Sequence, residues 1–245
     1  EVIDETTLVN TNANGFQVVD FTQSDKISVL SRIDIPGWDI VLIDQFAYVT
    51  TWDEGVFVID ISDPMHANIV SNQTVPKWGH YVAADKNNHI YLVSGWEMWV
   101  LDVSDPVNLR EAGYYSEPVD ENSTVYPPTD VHFSDIAILG GYAYLTTDGH
   151  GLHIFDISEP ENPVKVGVQE DPESYYRIAA GDELLYAVSR TQELFALNVV
   201  EPISPAVEER LPITSYYTDE LYAVGNKVYL PVRSGGIEIY QSIYK

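Results

Sequence analysis

The sequence predicts an all-β chain, a β-propeller of four-stranded antiparallel blades, with six blades the best count and five or seven the alternatives. Three observations carry this. A tyrosine inside an apolar run recurs at Tyr48, Tyr91, Tyr144, Tyr186 and Tyr229, with separations of 43, 53, 42 and 43 residues. Eleven or twelve residues after each comes the end of a second apolar run, at Asp60, Asp102, Asp156, Asn198 and Gln241. Nowhere does a helical period persist, and Gly, Pro, Asn and Asp interrupt the chain too often for helices of ordinary length. Four short runs in about 40–45 residues is the spacing of a propeller blade.

The second repeat shows the pattern in full, with runs at 39–43, 46–50, 56–61 and 67–73. Aligned on it, the chain reads as a single domain over 1–245, with repeats near 1–34, 35–75, 76–116, 117–171, 172–212 and 213–245. The first lacks most of its innermost run and the last ends without an outermost one. Either these short sheets pack as they are or the native chain extends beyond Glu1 and Lys245. A lone blade is apolar on both faces and exposes two edges, so blades are expected to pack around an axis.

Composition narrows the function. With 245 residues and 45% hydrophobic content the chain can bury a large core. Twelve Lys and Arg against 38 Asp and Glu give a net charge of −26, which argues against nucleic acid or an anionic membrane as partner. The longest clean apolar runs, such as 40–43 and 136–139, are far short of the ~18 residues that span a bilayer, so no membrane insertion is expected. The absence of cysteine excludes disulfides, thiolate zinc sites and cysteine nucleophiles.

The segment 151–164, Gly-Leu-His-Ile-Phe-Asp-Ile-Ser-Glu-Pro-Glu-Asn-Pro-Val, resembles the LVIVD repeat family of β-propellers. So do 56–64, Val-Phe-Val-Ile-Asp-Ile-Ser-Asp-Pro, and 98–106, Met-Trp-Val-Leu-Asp-Val-Ser-Asp-Pro. The fifth repeat departs with Asn198-Val199-Val200-Glu201-Pro202, and the first lacks the proline after Asp20. The resemblance implies a secreted or surface-attached protein, often part of a larger architecture, with no assigned reaction and no family catalytic set.

Clustered oxygens in the Asp-Ile-Ser-Asp-Pro segments invite a calcium reading, but they lack the ligand alternation and bidentate Glu of a calcium loop. Short Asp and Ser side chains that bond backbone N–H groups as a strand leaves its sheet explain them better. The starts of the innermost strands are more informative, because in a propeller they ring the channel. They place Asp39, Asp135, Arg177 and Glu220 there, with Tyr81 or the preceding His80 as the fifth member. These side chains face channel water, hold a small polar ligand, or bind a cation such as calcium through Asp39, Asp135 and Glu220. Arg177 in the same ring argues against a metal.

Loops leading into those strands pair a proline with aromatic residues: Trp38, Trp78, Tyr175-Tyr176 and Tyr216-Tyr217. Such rings either plug crevices between blades or anchor a protein or a glycan. At Tyr175-Tyr176, strand alternation is expected to bury one ring and leave the other for a partner. The third repeat boundary carries an insertion over 116–129, with Tyr126, placed to overhang the same face. Nothing in the sequence forms a Ser-His-Asp set, and the six histidines are scattered.

The leading expectation is therefore a non-enzymatic extracellular or cell-surface binding module that engages a protein or glycan through its loop face. The alternatives are a calcium-type propeller hydrolase of lactones or esters and a structural domain of a surface or filament assembly.

Overall fold

The structure is a computed structural model describing residues 1, 3, 7–12, 14–22, 26–75, 81–119, 131–170, 174–214, 218, 220–225, 227–232 and 236–241. Among the described residues every regular element is a strand, and the strands form six sheets, four of four strands and two of three. The fold is a six-bladed β-propeller, as the repeat predicts.

The blades follow the chain. The first is β1 (Thr7–Asn12), β2 (Gly15–Asp20) and β3 (Ser28–Ile33); the second is β4 (Gly37–Ile43), β5 (Phe46–Thr51), β6 (Val56–Asp60) and β7 (Asn68–Gln73). The third is β8 (Tyr81–Ala84), β9 (His89–Ser94), β10 (Glu97–Asp102) and β11 (Arg110–Ser116). The fourth is β12 (Phe133–Leu139), β13 (Tyr142–Thr147), β14 (Leu152–Asp156) and β15 (Val164–Gln169). The fifth is β16 (Tyr175–Ala180), β17 (Leu184–Ser189), β18 (Glu193–Asn198) and β19 (Ala206–Pro212), and the sixth is β20 (Tyr222–Val224), β21 (Lys227–Val232) and β22 (Gly236–Gln241). Among the described residues the first blade has no regular innermost strand, but residues 1 and 3 bond to β1. Ile3 N–H donates to the carbonyl of Thr7 at 2.9 Å, and Val9 N–H donates to that of Glu1 at 2.8 Å.

The chain divides into two compact units, Glu1–Ser94 with Met98–Ala112, and Gly95–Glu97 with Gly113–Lys245. Within the first, Val9, Phe16 and Val18 pack on Ala47, Val49 and Ile59. On the other face of the second blade, Tyr48, Val56 and Val58 meet Ile90, Leu92 and Trp99. Within the second unit, Tyr144 and Ile154 pack on Ile178, Leu185 and Phe195, while Tyr186 and Val188 meet Val228 and Leu230. The second and fifth blades are therefore core on both faces, which explains why β5 and β17 read as continuous apolar runs rather than alternating ones.

The recurrent acidic turn is structural. In five blades the strand before the outermost ends on a side chain that accepts a hydrogen bond from the backbone N–H two residues on: Asp20 from Thr22, Asp60 from Ser62, Asp102 from Ser104, Asp156 from Ser158 and Asn198 from Val200, at 2.7–2.9 Å. Asp63 and Asp105 repeat the device in the turn that follows, accepting from Met65 and Val107. These bonds to the charged form hold Asp102 down at about 2, first through the Ser104 hydroxyl, and keep Asp156 low through the Ser158 N–H.

Candidate functional site

Three of the innermost strands, β4, β12 and β16, open on an irregularity in their pairing, between Gly37 and Ile40, between Phe133 and Asp135, and between Tyr175 and Arg177, whereas β8 pairs regularly with β9. The bulge turns the next side chain out of the ladder and frees a backbone N–H for it to meet. Asp39 Oδ1 accepts from Ile40 N–H at 2.7 Å, and its Oδ2 accepts from Val82 N–H, in the next blade, at 2.8 Å. Asp135 does the same, with Ile136 N–H on Oδ1 at 2.8 Å and Ile178 N–H on Oδ2 at 2.9 Å. Both carboxylates thus splice one blade to its successor. Burial pushes Asp135 up to about 6, against the opposing pull of Arg177 and the two N–H groups.

Tyr81 and Arg177 occupy the matching positions in the third and fifth blades and bring no carboxylate there. Arg177 instead turns back, its Nη1 donating to the carbonyls of Ser134 at 3.1 Å and Tyr176 at 2.8 Å. Glu220 lies half-buried just before β20. Among the described residues no three Asp, Glu or His side chains stand close enough to share a metal ion.

Trp38 and Trp52 form an exposed aromatic contact in the first unit. They flank the same end of the second blade, Trp38 at the start of β4 and Trp52 just past β5. Their ring centroids are 5.0 Å apart at an inclination of 51°, and Tyr81 of the third blade meets Trp38 edge-on at 6.1 Å. Trp38 remains 42% exposed and Trp52 50%. Trp52 sits on a fixed turn: Thr51 N–H and Oγ1 both donate to the Gly55 carbonyl, at 2.9 and 3.0 Å, and Glu54 N–H donates to Thr51 Oγ1 at 2.9 Å.

The fourth blade builds the same turn without tryptophan. Thr147 Oγ1 donates to the Gly151 carbonyl at 2.6 Å and His150 N–H to Thr147 Oγ1 at 3.1 Å, with Asp148 in the place of Trp52. Ser134, just before Asp135, stands in the place of Trp38. The same turn therefore forms in the fourth blade with Ser and Asp at these two positions.

The paired tyrosines correct the expectation drawn from alternation. Tyr175 and Tyr176 are both buried, each 5% exposed. Alternation does send them to opposite faces, but each face of the fifth blade is covered. Tyr175 packs edge-on against Phe195 at 5.0 Å within the core shared with the fourth blade. Tyr176 joins the core shared with the sixth, where its hydroxyl accepts from Thr218 N–H at 3.1 Å and Arg177 and Arg190 lie against its ring. Trp78, His80, Tyr126, Tyr216 and Tyr217 lie outside the described residues.

Residues 37–75, 81–117 and 132–169 match the LVIVD repeat family. The chain carries LVIVD repeats. Among curated proteins none matches it. Among solved structures, a candidate 6-phosphogluconolactonase of Bacteroides fragilis NCTC 9343 superposes with a TM-score of 0.71 at 13% identity, over 97% of this chain and 78% of that one. BamB of Moraxella catarrhalis gives 0.65 at 10% identity, over 98% of this chain and 83% of that one. The computationally designed protein Ika8 gives 0.62 at 10% identity, over 98% and 70%. At such identities the likeness is one of fold.

One cluster within the matched LVIVD repeats leaves no pattern in the sequence. Glu117, just past β11, is almost fully buried with His153 of β14; its Oε1 lies 2.9 Å from His153 Nδ1, and Lys165 Nζ of β15 donates to both of its oxygens at 2.7 and 2.8 Å. Burial, and secondarily the Lys165 charge, lower the His153 pKa, with Glu117 opposing. His153 and Lys165 lie 36 and 48 positions beyond Glu117 and follow no repeat spacing, so only the fold reveals them.

Proposed function

We propose that this chain is a binding module, working outside the cell or at its surface, that engages a protein or glycan partner through the end of the second and third blades where Trp38, Trp52 and Tyr81 meet. The observation that carries the reading is the pair of exposed indoles on a turn whose counterpart in the fourth blade does without them. Large amphipathic rings held on a rigid support are the usual anchors of an interface, because little side-chain entropy remains to be lost on binding. The LVIVD repeat and the acidic surface support the extracellular placement.

A hydrolase reading draws less support. It asks for Asp39, Asp135 and Glu220 as metal ligands, yet both oxygens of Asp39 and of Asp135 already accept backbone N–H groups. The deciding experiment is a thermal-shift screen of peptides, glycans, lactones and calcium on the wild type and on a Trp38→Ser/Trp52→Asp double variant. A ligand that raises the wild-type midpoint is expected to lose its effect in the double variant and to ignore chelator. Calcium-dependent lactone turnover abolished by Asp135→Asn would overturn the reading in favour of the enzyme.

A further inference from the structure

We infer that the Trp38–Trp52–Tyr81 site receives a cation, namely a lysine or arginine side chain of a basic protein segment. This rests on the binding-module reading and adds the chemistry of the partner. The ring geometry is the first argument. Stacking on a sugar favours a flat platform of coplanar rings, whereas Trp38 and Trp52 incline at 51° and Tyr81 stands at 72° to Trp38. Differently oriented rings clustered on Trp38 suit a charged group, which gains from any aromatic face within about 6 Å of its centre, tryptophan best of all.

Charge is the second argument. Asp53 and Glu54 follow Trp52 in the same hydrogen-bonded turn, and both are exposed. The turn therefore carries two exposed carboxylates directly after Trp52, so a cation approaching the indole meets Coulombic and quadrupolar attraction together. The whole chain adds to this with its net charge of −26, which steers basic segments inward and repels acidic ones.

The test is a titration of the full chain with a short oligoarginine peptide, followed by tryptophan fluorescence and calorimetry at low and physiological ionic strength, with neutral oligosaccharides alongside. The wild type is expected to bind saturably and more weakly as salt rises. Trp52→Asp is expected to lose about tenfold in affinity. That substitution adds a negative charge and would strengthen a purely Coulombic attraction, so a loss reports the ring itself. Trp38→Ser should lose a similar factor, and Asp53→Asn/Glu54→Gln should weaken binding and flatten its salt dependence without touching an aromatic. The fourth blade carries Ser and Asp at the two tryptophan positions, and circular dichroism checks that each variant is folded. Peptide binding that survives Trp38→Ser and Trp52→Asp, or no saturable binding at all, overturns the inference. Trp-dependent binding of a neutral oligosaccharide overturns it while leaving the binding-module reading intact.

Discussion

Asp39 and Val82 are 43 residues apart in sequence, yet the Oδ2 of one accepts the backbone N–H of the other at 2.8 Å, joining the innermost strands of adjacent blades. The same bond links Asp135 and Ile178 at 2.9 Å. A propeller blade has no covalent means of fixing its angle to the next beyond a loop, and apolar packing alone tolerates sliding. A carboxylate that bonds its own bulge with one oxygen and the next blade with the other sets that relationship directionally. Asp39→Ala removes both acceptors and leaves the Ile40 and Val82 N–H groups to water or to nothing. The expected loss is about 1–3 kcal/mol in urea unfolding. Hydrogen exchange at the Val82 amide should quicken while that at Ile178 stays unchanged.

Asp135 carries a pH signature that follows from its burial. Its folded-state pKa stands at about 6 against an ordinary 3.8. Because the folded value is the higher one, the folded state holds its proton more tightly. The resulting stabilisation is complete below pH 3.8 and is lost as pH rises through about 6. The shift corresponds to about 3 kcal/mol. Asp135→Asn has no proton to lose, so its stability relative to wild type should improve by that order between pH 4 and pH 7. Arg177→Gln, which removes the charge opposing the shift, should move the wild-type fall to higher pH. A wild-type profile parallel to that of Asp135→Asn would contradict the assignment.

His153 works in the opposite direction. Its folded pKa is lowered, so its contribution is present above the ordinary value of 6.5 and is lost as pH falls through the folded one. Glu117 is the hub of this cluster. Glu117→Gln keeps an acceptor for one neighbour but leaves the Lys165 ammonium without a counter-charge in a largely enclosed place. Breaking a fully buried pair costs about 3–5 kcal/mol, and Lys165, still 28% exposed, puts the expectation at or below the lower end. Adding Lys165→Met to Glu117→Gln should recover part of the loss, which a double-mutant cycle measures.

The sequence exposes those features that repeat. The buried tyrosines Tyr48, Tyr91, Tyr144 and Tyr186 and the acidic turns at Asp60, Asp102 and Asp156 recur once per blade because these blades solve the same packing problem. The positions of Asp39 and Asp135 are equally legible, but not what they bond, since a backbone N–H leaves no mark on residue identity. Tyr176 departs from expectation because alternation implies a solvent face only when a sheet has one, and the fifth blade has neither face free. Trp52 is hidden for the converse reason: it breaks the repeat, standing where the fourth blade has Asp148, and a search for regularity passes over it. His153 and Lys165 lie on paired strands of the fourth blade and Glu117 reaches them from just past β11, at separations that no repeat shares.

Gly55 ties the turn that carries Trp52 to the sheet beneath it. Its φ of +90° lies where only glycine is comfortable, and an added Cβ would press into the Gln73 carbonyl. Gly149, with a φ of +86° and two residues before the Gly55 counterpart Gly151 in the fourth-blade turn, has nothing within 4 Å of an added Cβ. Gly149→Ala therefore meets backbone strain alone, about 1 kcal/mol, while Gly55→Ala adds a clash with main chain and should cost more. The functional consequence separates them further. Relief of the Gly55 clash requires the turn to shift away from β7, carrying Trp52, Asp53 and Glu54 with it. Oligoarginine affinity should then fall in Gly55→Ala even under conditions where the protein is fully folded, and stay at the wild-type level in Gly149→Ala. Equal affinities in the two variants would mean that the turn does not position the indole, and that the rigidity assigned to it has no part in binding.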